Sequence, residues 1–491
     1  MKIRYLSSED RKNLRILRHS SDCHEKIKIL EAFFRRSFYT LQDLWEYRKY
    51  FFELTEEQLK EHPILVCGLI QVLLLQGDLD KAYERLETLP ADSSYYILSK
   101  MMLPGMEKEE MISMTEELRA RNMRSAHLTV TAGRPSVLNG LWDLTPMAEE
   151  LTKDKEDAVQ RLSPILGEQT QLVYELMCAE KLYWQNDCYE ALVHVINVIP
   201  FLREKHHMRL LFVALTLEIY ILVVNGQAAS IDHLVEGLRE RIKLAEVEEY
   251  LPNIDALEAW ASMYDGDYAK VTKWMREAAP DEYGKFCMLD TFRYMVKMRA
   301  YIIQGKYLAV TILASRLLPL LEAGKRYMDI CELRIIWAMS DYADGRKDEA
   351  LNHMKKVLEL AEEYHYDRLL ADEGQRVLEL LKCYRKTLCA EQRNEYLERV
   401  ISLTDKIAAM HPRYLKTQLP EQPALTDTEM RVLRLLAELK TNAEIAEITG
   451  MAEETAKKHC KHIFTKLEVK NRHQAVDKAM ELGLIEPRRY A

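Results

Sequence analysis

The chain is poor in glycine and proline, with 16 and 14 in 491 residues. Their scarcity beside abundant Leu, Glu, Ala, Lys and Arg argues against a β-rich or disordered protein and predicts an almost wholly helical one. Also missing is any C-x-x-C pair. The nine cysteines are scattered and odd in number, which removes the basis for a disulfide framework or a thiolate metal site. With an opening M-K-I-R-Y-L-S-S-E-D that lacks a secretory pattern, they point to a reducing cytoplasm. No apolar run reaches membrane-spanning length. The nearest, Leu210 to Val224, has only 15 residues and contains Glu218, so it reads as a buried helix and no membrane partner is expected.

Catalytic signatures are absent too. No G-x-x-x-x-G-K-[ST] occurs, and Gly305-Lys306 and Gly324-Lys325 lack both the preceding Gly and the following Ser or Thr of a phosphate cradle. There is no dinucleotide fingerprint and no nucleophile elbow. The close His and Cys groupings, Cys23-His24, His206-His207 and His459 with His462, do not supply four ligands at metal spacing. The expectation is a protein without catalytic residues, cofactor or metal.

What is present begins with length. At 491 residues the chain exceeds one core and calls for two or more domains or a repeat array. A helix-turn-helix junction recurs around Asn186, Gly226, Gly266, Gly305 and Gly345, at spacings of 40, 40, 39 and 40 residues, and Gly77 has the same local form. At each junction a Gly or Asn supplies the turn, and an Ala four or five residues on allows close helix packing. Two helices per repeat, stacked side by side, make a solenoid. Trp184, Trp260, Trp274 and Trp337 fall at repeat-core spacing. The pattern is least regular between Met101 and Lys153, where Gly133, Pro135 and Asn139-Gly140 make a loop that is either a place for a ligand or partner or an ordered crossover. A second break, His411 to Pro423, holds three prolines and reads as a semi-extended linker. The expected organisation is a helical sensor or interaction region over 1–410, a linker over 411–424 and a small helical domain over 425–491.

That last segment carries two capping boxes, Thr426 with Glu429 and Thr441 with Glu444, each starting a short helix. Gly450 follows as a tight turn. A third helix repeats Ala456, Cys460, Ile463 and Leu467 at spacings of four, three and four, a core stripe that turns Lys457, Lys458, Lys461, His462 and Lys466 outward. A helix with a basic outer face suits the major groove of double-stranded DNA. The net charge of −9 divides unevenly: 425–491 carries 12 Lys plus Arg against 11 Asp plus Glu, so it is +1 and the remainder −10. Binding to DNA then depends on a focused patch and a second subunit.

The residues from Leu425 to Leu484, among them Thr426, Glu429, Leu433, Ile445, Thr455, Lys457, Ile463, Leu467, Val469 and Arg472, resemble the LuxR-type output domain. The repeat with its long period resembles the tetratricopeptide-like sensor region of MalT-type regulators, without a nucleotide-binding domain. The resemblance implies an all-α fold and a transcription regulator. It makes the third helix the recognition helix, with Thr455, Lys457, Lys458, Lys461, His462 and Lys466 toward DNA. It also implies a homodimer on DNA formed through 472–482, RNA polymerase as a downstream partner, and a small-molecule or protein effector on the repeats. Departures from the family pattern are Thr449 before Gly450, Ala452 in place of a capping Ser, Ala456 in place of Val, Glu468 in place of Gly, and Leu439 or Lys440 in the first inter-helix loop. They leave open a second reading, an interaction scaffold that pairs with a related regulator without touching DNA.

Overall fold

The computed structural model describes residues 8–35, 41–104, 135–140, 142–166, 169–202, 208–227, 231–244, 250–281, 286–389, 392–417, 425–438, 440–467, 469 and 471–481, with isolated residues between 110 and 121. They divide into two compact units, Met1–Ile302 with Lys306–Lys416, and Thr417–Ala491 with Ile303–Gly305. The fold is all-α. Among the described residues the only β feature is an isolated antiparallel bridge between Asn139 and Asp143.

The first unit opens with α1 Ser8–His19, α2 Cys23–Phe34, α3 Leu41–Phe51, α4 Glu56–Glu61, α5 Pro63–Gln76, α6 Leu79–Leu86 and α7 Ser94–Lys100. They share one core in which Phe33, Phe34, Tyr47 and Phe51 are wholly buried. Gly68 on α5 is required there, because a Cβ would lie 2.4 Å from the Phe34 ring and 2.6 Å from that of Phe51.

After α8 Ala148–Lys153 and α9 Lys155–Leu166, helices pair: α10 Thr170–Trp184 with α11 Cys188–Val198, α12 Met208–Val224 with α13 Ile231–Leu244, α14 Leu251–Asp265 with α15 Tyr268–Glu277, α16 Thr291–Ile303 with α17 Tyr307–Ala323, and α18 Tyr327–Ala343 with α19 Lys347–Glu363. Every predicted junction residue is left-handed, from Asn186 at φ 70° to Gly345 at φ 83°, with Gly77 at 75°. The amide after the junction residue reaches back to a carbonyl five residues earlier, as Asp187 does to Leu182, Asp267 to Ser262 and Arg346 to Asp341. This is the Schellman closure, which needs the left-handed residue and fixes the angle between paired helices. The packing position lies five residues past the junction, and the expected Ala fills it in only half of the copies. It holds fully buried Ala82, Ala191 and Ala350 in three copies, and buried Val271, Val310 and Ile231 in the others.

Helix α12 is buried along most of its length, as its composition predicts, and no described helix is long and apolar enough to cross a membrane. Trp260 and Trp274 are core residues, and Trp337 stacks on His353 at 4.6 Å. The unit closes with α20 Asp367–Ala371, α21 Gly374–Thr387 and α22 Glu395–Met410.

The first helices of the pairs carry polar residues on a face that is buried rather than solvated. Two irregular segments cover it. Pro135 to Gly140 are buried, so this part of the irregular stretch is an ordered crossover and not an open loop; Gly133 lies outside the described residues. Glu180 of α10 accepts hydrogen bonds from the Ser136 hydroxyl, from Val137 N at 2.6 Å and from Leu138 N at 3.4 Å. Asn139 donates to Asp329 at 3.0 Å, and Arg326 donates to the carbonyls of Asn139 and Gly140.

The second segment is the start of the expected linker. Residues 411–416 pack on the first unit. Tyr414 is 4% exposed, stacks on Tyr264 at 4.0 Å and donates to Glu373 at 2.9 Å; Leu415 is fully buried, and its carbonyl accepts from Arg376. The aromatic and aliphatic side chains here satisfy a buried site, which an extended, solvated linker would not. Residues 418–424 lie outside the described residues. Between the two segments Tyr183 donates to Asp372 at 2.6 Å, and Arg299 bridges Glu332 and Glu373. Arg368 Nη2 stands 2.8 Å from Asp372 Oδ1 without hydrogen-bond alignment, so that contact is Coulombic. Burial pushes the Asp372 carboxyl up to about 6, against the pull of Arg368 and Tyr183.

Glu180→Ala removes one acceptor group and leaves two buried amides without a partner and the Ser136 hydroxyl proton without an acceptor, although that oxygen still accepts from Asn139 N at 2.7 Å. At about 1–3 kcal/mol for each unsatisfied group, the expected loss is at least about 3 kcal/mol in urea unfolding. The exposed neighbour change Glu190→Ala is expected to stay within about 0.5 kcal/mol of the parent.

Candidate nucleic-acid interface

The second unit contains α23 Asp427–Ala437, α24 Asn442–Thr449, α25 Glu453–Lys466 and α26 Arg472–Glu481. Both capping boxes form: Glu429 N donates to Thr426 Oγ1 at 3.3 Å while Thr426 N donates to Glu429 at 2.8 Å, and Thr441 with Glu444 repeats this at 3.3 and 2.7 Å. Gly450 ends α24 at φ 71°, which lets Met451 N reach Ala446 O and turns the chain into α25. Ala452 is the N-cap of α25 and makes no side-chain cap bond. Glu453 and Glu454 in the first turn favour the helix dipole instead.

The core is the one that the spacing predicts. Val432, Leu433, Leu436, Ile445, Ala456, Ile463, Ala475 and Ala479 are fully buried, with Cys460 and Leu467 nearly so. On α25 the buried positions Ala456, Cys460, Ile463 and Leu467 form one stripe. Directly opposite stand Lys458, Lys461 and His462, all exposed, while Thr455 is exposed on the first turn. Thr465 shares that outer face and was not among the sequence candidates; its hydroxyl bonds back to Lys461 O at 3.0 Å.

The two flanking lysines differ from these. Lys457 is exposed and lies 3.6 Å from Glu453 and 3.5 Å from Glu454, loose surface pairs that contribute little and that a phosphate can replace. Lys466, expected to face DNA, directs its ammonium to Glu429 at 2.6 Å. Its ammonium is engaged within the domain while the rest of the side chain stays partly exposed. Glu429 is 3% exposed and closes the α23 cap, so its charge requires a cation, and Lys466 is on the side of α25 that supplies one. Burial pushes the Glu429 carboxyl up, but bonds from Lys466 and Thr426 outweigh it and hold the group below its ordinary value.

Asn442 receives Arg472 at 3.4 Å and the Cys460 thiol at 3.7 Å, tying α24, α25 and the start of α26 together. Of the two histidines on α25, His462 is exposed, whereas His459 has a buried Nδ1 without a hydrogen-bond partner among the described residues. No group of His, Cys, Asp and Glu among the described residues has metal-binding geometry. Gly483 and Leu484 lie outside the described residues.

A family model described as the MalT-like TPR region matches residues 110–387, more than half of the chain. A second, described as bacterial regulatory proteins of the luxR family, matches 423–479. The transcriptional activator protein AnoR of Acinetobacter nosocomialis is 44% identical over 61 residues, 12% of this chain and 26% of AnoR. The response regulator protein VraR of Staphylococcus aureus is 42% identical over 62 residues, 13% of this chain and 30% of VraR, as is VraR of Staphylococcus epidermidis. The chain thus spans less than a third of the length of these curated relatives.

Lys466→Ala leaves Glu429 buried without its cation and is expected to cost about 1–2 kcal/mol, discounted because Lys466 is partly solvated. In hydrogen exchange of the full-length protein this is a roughly tenfold faster opening of α23 and α25, with Lys458→Ala as an unchanged control. Because the folded Glu429 carboxyl is depressed, its contribution is present above the ordinary value of 4.5 and is lost as pH falls through the lower folded value. The parent and Lys466→Ala proteins therefore converge in acid.

Proposed function

This chain belongs to the family marked by the MalT-like TPR region and carries a luxR-family regulatory domain, and from that premise we propose a sequence-specific, DNA-binding transcriptional regulator. The coarse reading, a DNA-binding regulator, is supported by the luxR-family match and by the activator and response regulator that share that segment. The observation that carries the finer one is the outer face of α25, where Lys458, Lys461 and His462 stand opposite a fully packed stripe, with Thr455 on its first turn. In this reading α25 enters the major groove. Lys458 and Lys461 contact phosphates or guanine edges, Thr455 and His462 contribute hydrogen bonds, and Lys457 leaves its glutamates for a phosphate. Lys466 positions the helix through Glu429.

Residues 1–416 form the sensor, which responds to a small molecule or a protein partner. A short connection leads to 425–491, which pairs as a homodimer on DNA through α26 and engages RNA polymerase in the cytoplasm. An uncapped Ala452 supports a second reading, in which this domain pairs with a related regulator and makes no DNA contact of its own. A stable heteromer with no DNA affinity would favour that alternative.

Genomic fragments recovered by the full-length protein supply the DNA for a gel-shift assay. Parent affinity is expected to fall steeply with salt, with a log–log slope of about −0.9 for each phosphate neutralised. Lys458→Ala with Lys461→Ala is expected to flatten that slope by roughly 2 and to weaken binding at least tenfold. Binding that ignores salt, or that survives the double substitution unchanged, contradicts the assignment.

A further inference from the structure

The first unit contains a cleft of about 190 Å³ whose walls come from two parts of the chain. One wall, Leu74 to Pro104, precedes the matched MalT-like region at 110–387; the other is formed by the half-buried Trp142–Met147 segment just after the crossover, by Phe286 and Met288, and by the turn from α17 to α18. Its lining is apolar and adaptable: Met102, Met147 and Met288 with Trp142 and Phe286. An apolar cavity of about 150 Å³ takes benzene, so this volume matches one substituted aromatic ring. Methionine sulfurs and aromatic edges favour a flat π-system over a branched aliphatic one.

One polar feature adds direction. Lys325 is exposed and lines the cleft. The other charges there are engaged. Asp143 accepts from Thr145 N at 3.0 Å and Met328 N at 2.8 Å, and Arg326 is spent on Asp329 and on the Asn139 and Gly140 carbonyls. Lys325 is thus the cation available to an incoming anion.

We infer that this cleft binds a small aromatic carboxylate, its ring among Met102, Met147, Met288 and Phe286, its carboxylate meeting the Lys325 ammonium. The inference rests on the reading of the first unit as a sensor, and it names the site and the ligand chemistry. A molecule seated here touches the Trp142–Met147 crossover and the turn before α18 at once. Its occupancy thereby bears on the buried face of the repeats through Asp143, Arg326 and Asp329.

The probe is 4-fluorobenzoate, titrated into the full-length protein without DNA and followed by fluorine NMR, with fluorobenzene as the uncharged comparison. Expected is saturable one-to-one binding, with fluorobenzene weaker. Lys325→Asn is expected to weaken 4-fluorobenzoate but not fluorobenzene, and Met147→Phe, which fills the cleft, to abolish both. Should Met147→Phe fail to fold, methyl-labelled methionine spectra of the parent replace it: contacts from the probe to the Met102, Met147 and Met288 methyls support the site, and contacts elsewhere overturn it. No saturable binding, or binding indifferent to both substitutions, also overturns it. Gel shifts on the same samples test the DNA reading separately, so a protein that binds DNA and ignores both probes refutes only the ligand assignment.

Discussion

The first unit depends on one constraint: the inner residues of its repeat helices are charged, and they are buried. Glu180, Arg299, Asp329, Glu332, Arg368 and Asp372 are all at most 8% exposed. A charge taken out of water is tolerated only when paired and hydrogen-bonded. The repeats cannot meet that demand from their own side chains alone. Main-chain amides and carbonyls of the 135–140 segment and the Tyr414 hydroxyl complete the pairing. The two irregular segments are therefore part of the core of the array, though neither has repeat character.

Much of the regular structure is legible in the residues. A left-handed turn needs Gly or Asn, so its forty-residue recurrence marks every pair of helices, and the structure places a positive φ at each one. Capping boxes are equally local: Thr and Glu three apart specify a helix start regardless of what lies elsewhere. The spacing of Ala456, Cys460, Ile463 and Leu467 likewise orients α25. What was illegible is long-range. Asn139 meets Asp329 across 190 positions, and Tyr183 meets Asp372 across 189. No periodicity announces such partners, and the Pro-rich stretch after Met410 has the composition of a linker although His411, Tyr414 and Leu415 are buried.

The same division explains Lys466. Helical spacing places it on a flank of α25 beside lysines that face solvent, and only the three-dimensional position of Glu429 separates its role from theirs. A basic cluster read from sequence thus merges lysines that face solvent with one whose ammonium meets a nearly buried carboxylate. The small excess charge of this segment makes the distinction matter, because each lysine committed internally is one fewer for DNA.

Ordinary repeat proteins contact only their neighbours, and their stability grows copy by copy. The crossover at 135–140 breaks that locality. It binds α10 through Glu180 and the α18 region through Arg326 and Asp329, linking the first helical pair to the last across nearly 150 residues. Closing such a span carries a large entropic cost before any contact repays it, which raises contact order and slows folding. Once closed, the intervening pairs share a single fate. The array then melts as one cooperative body instead of fraying from its ends, and its length is fixed: deleting one internal repeat would carry Glu180 and Asp329 out of register with the crossover between them.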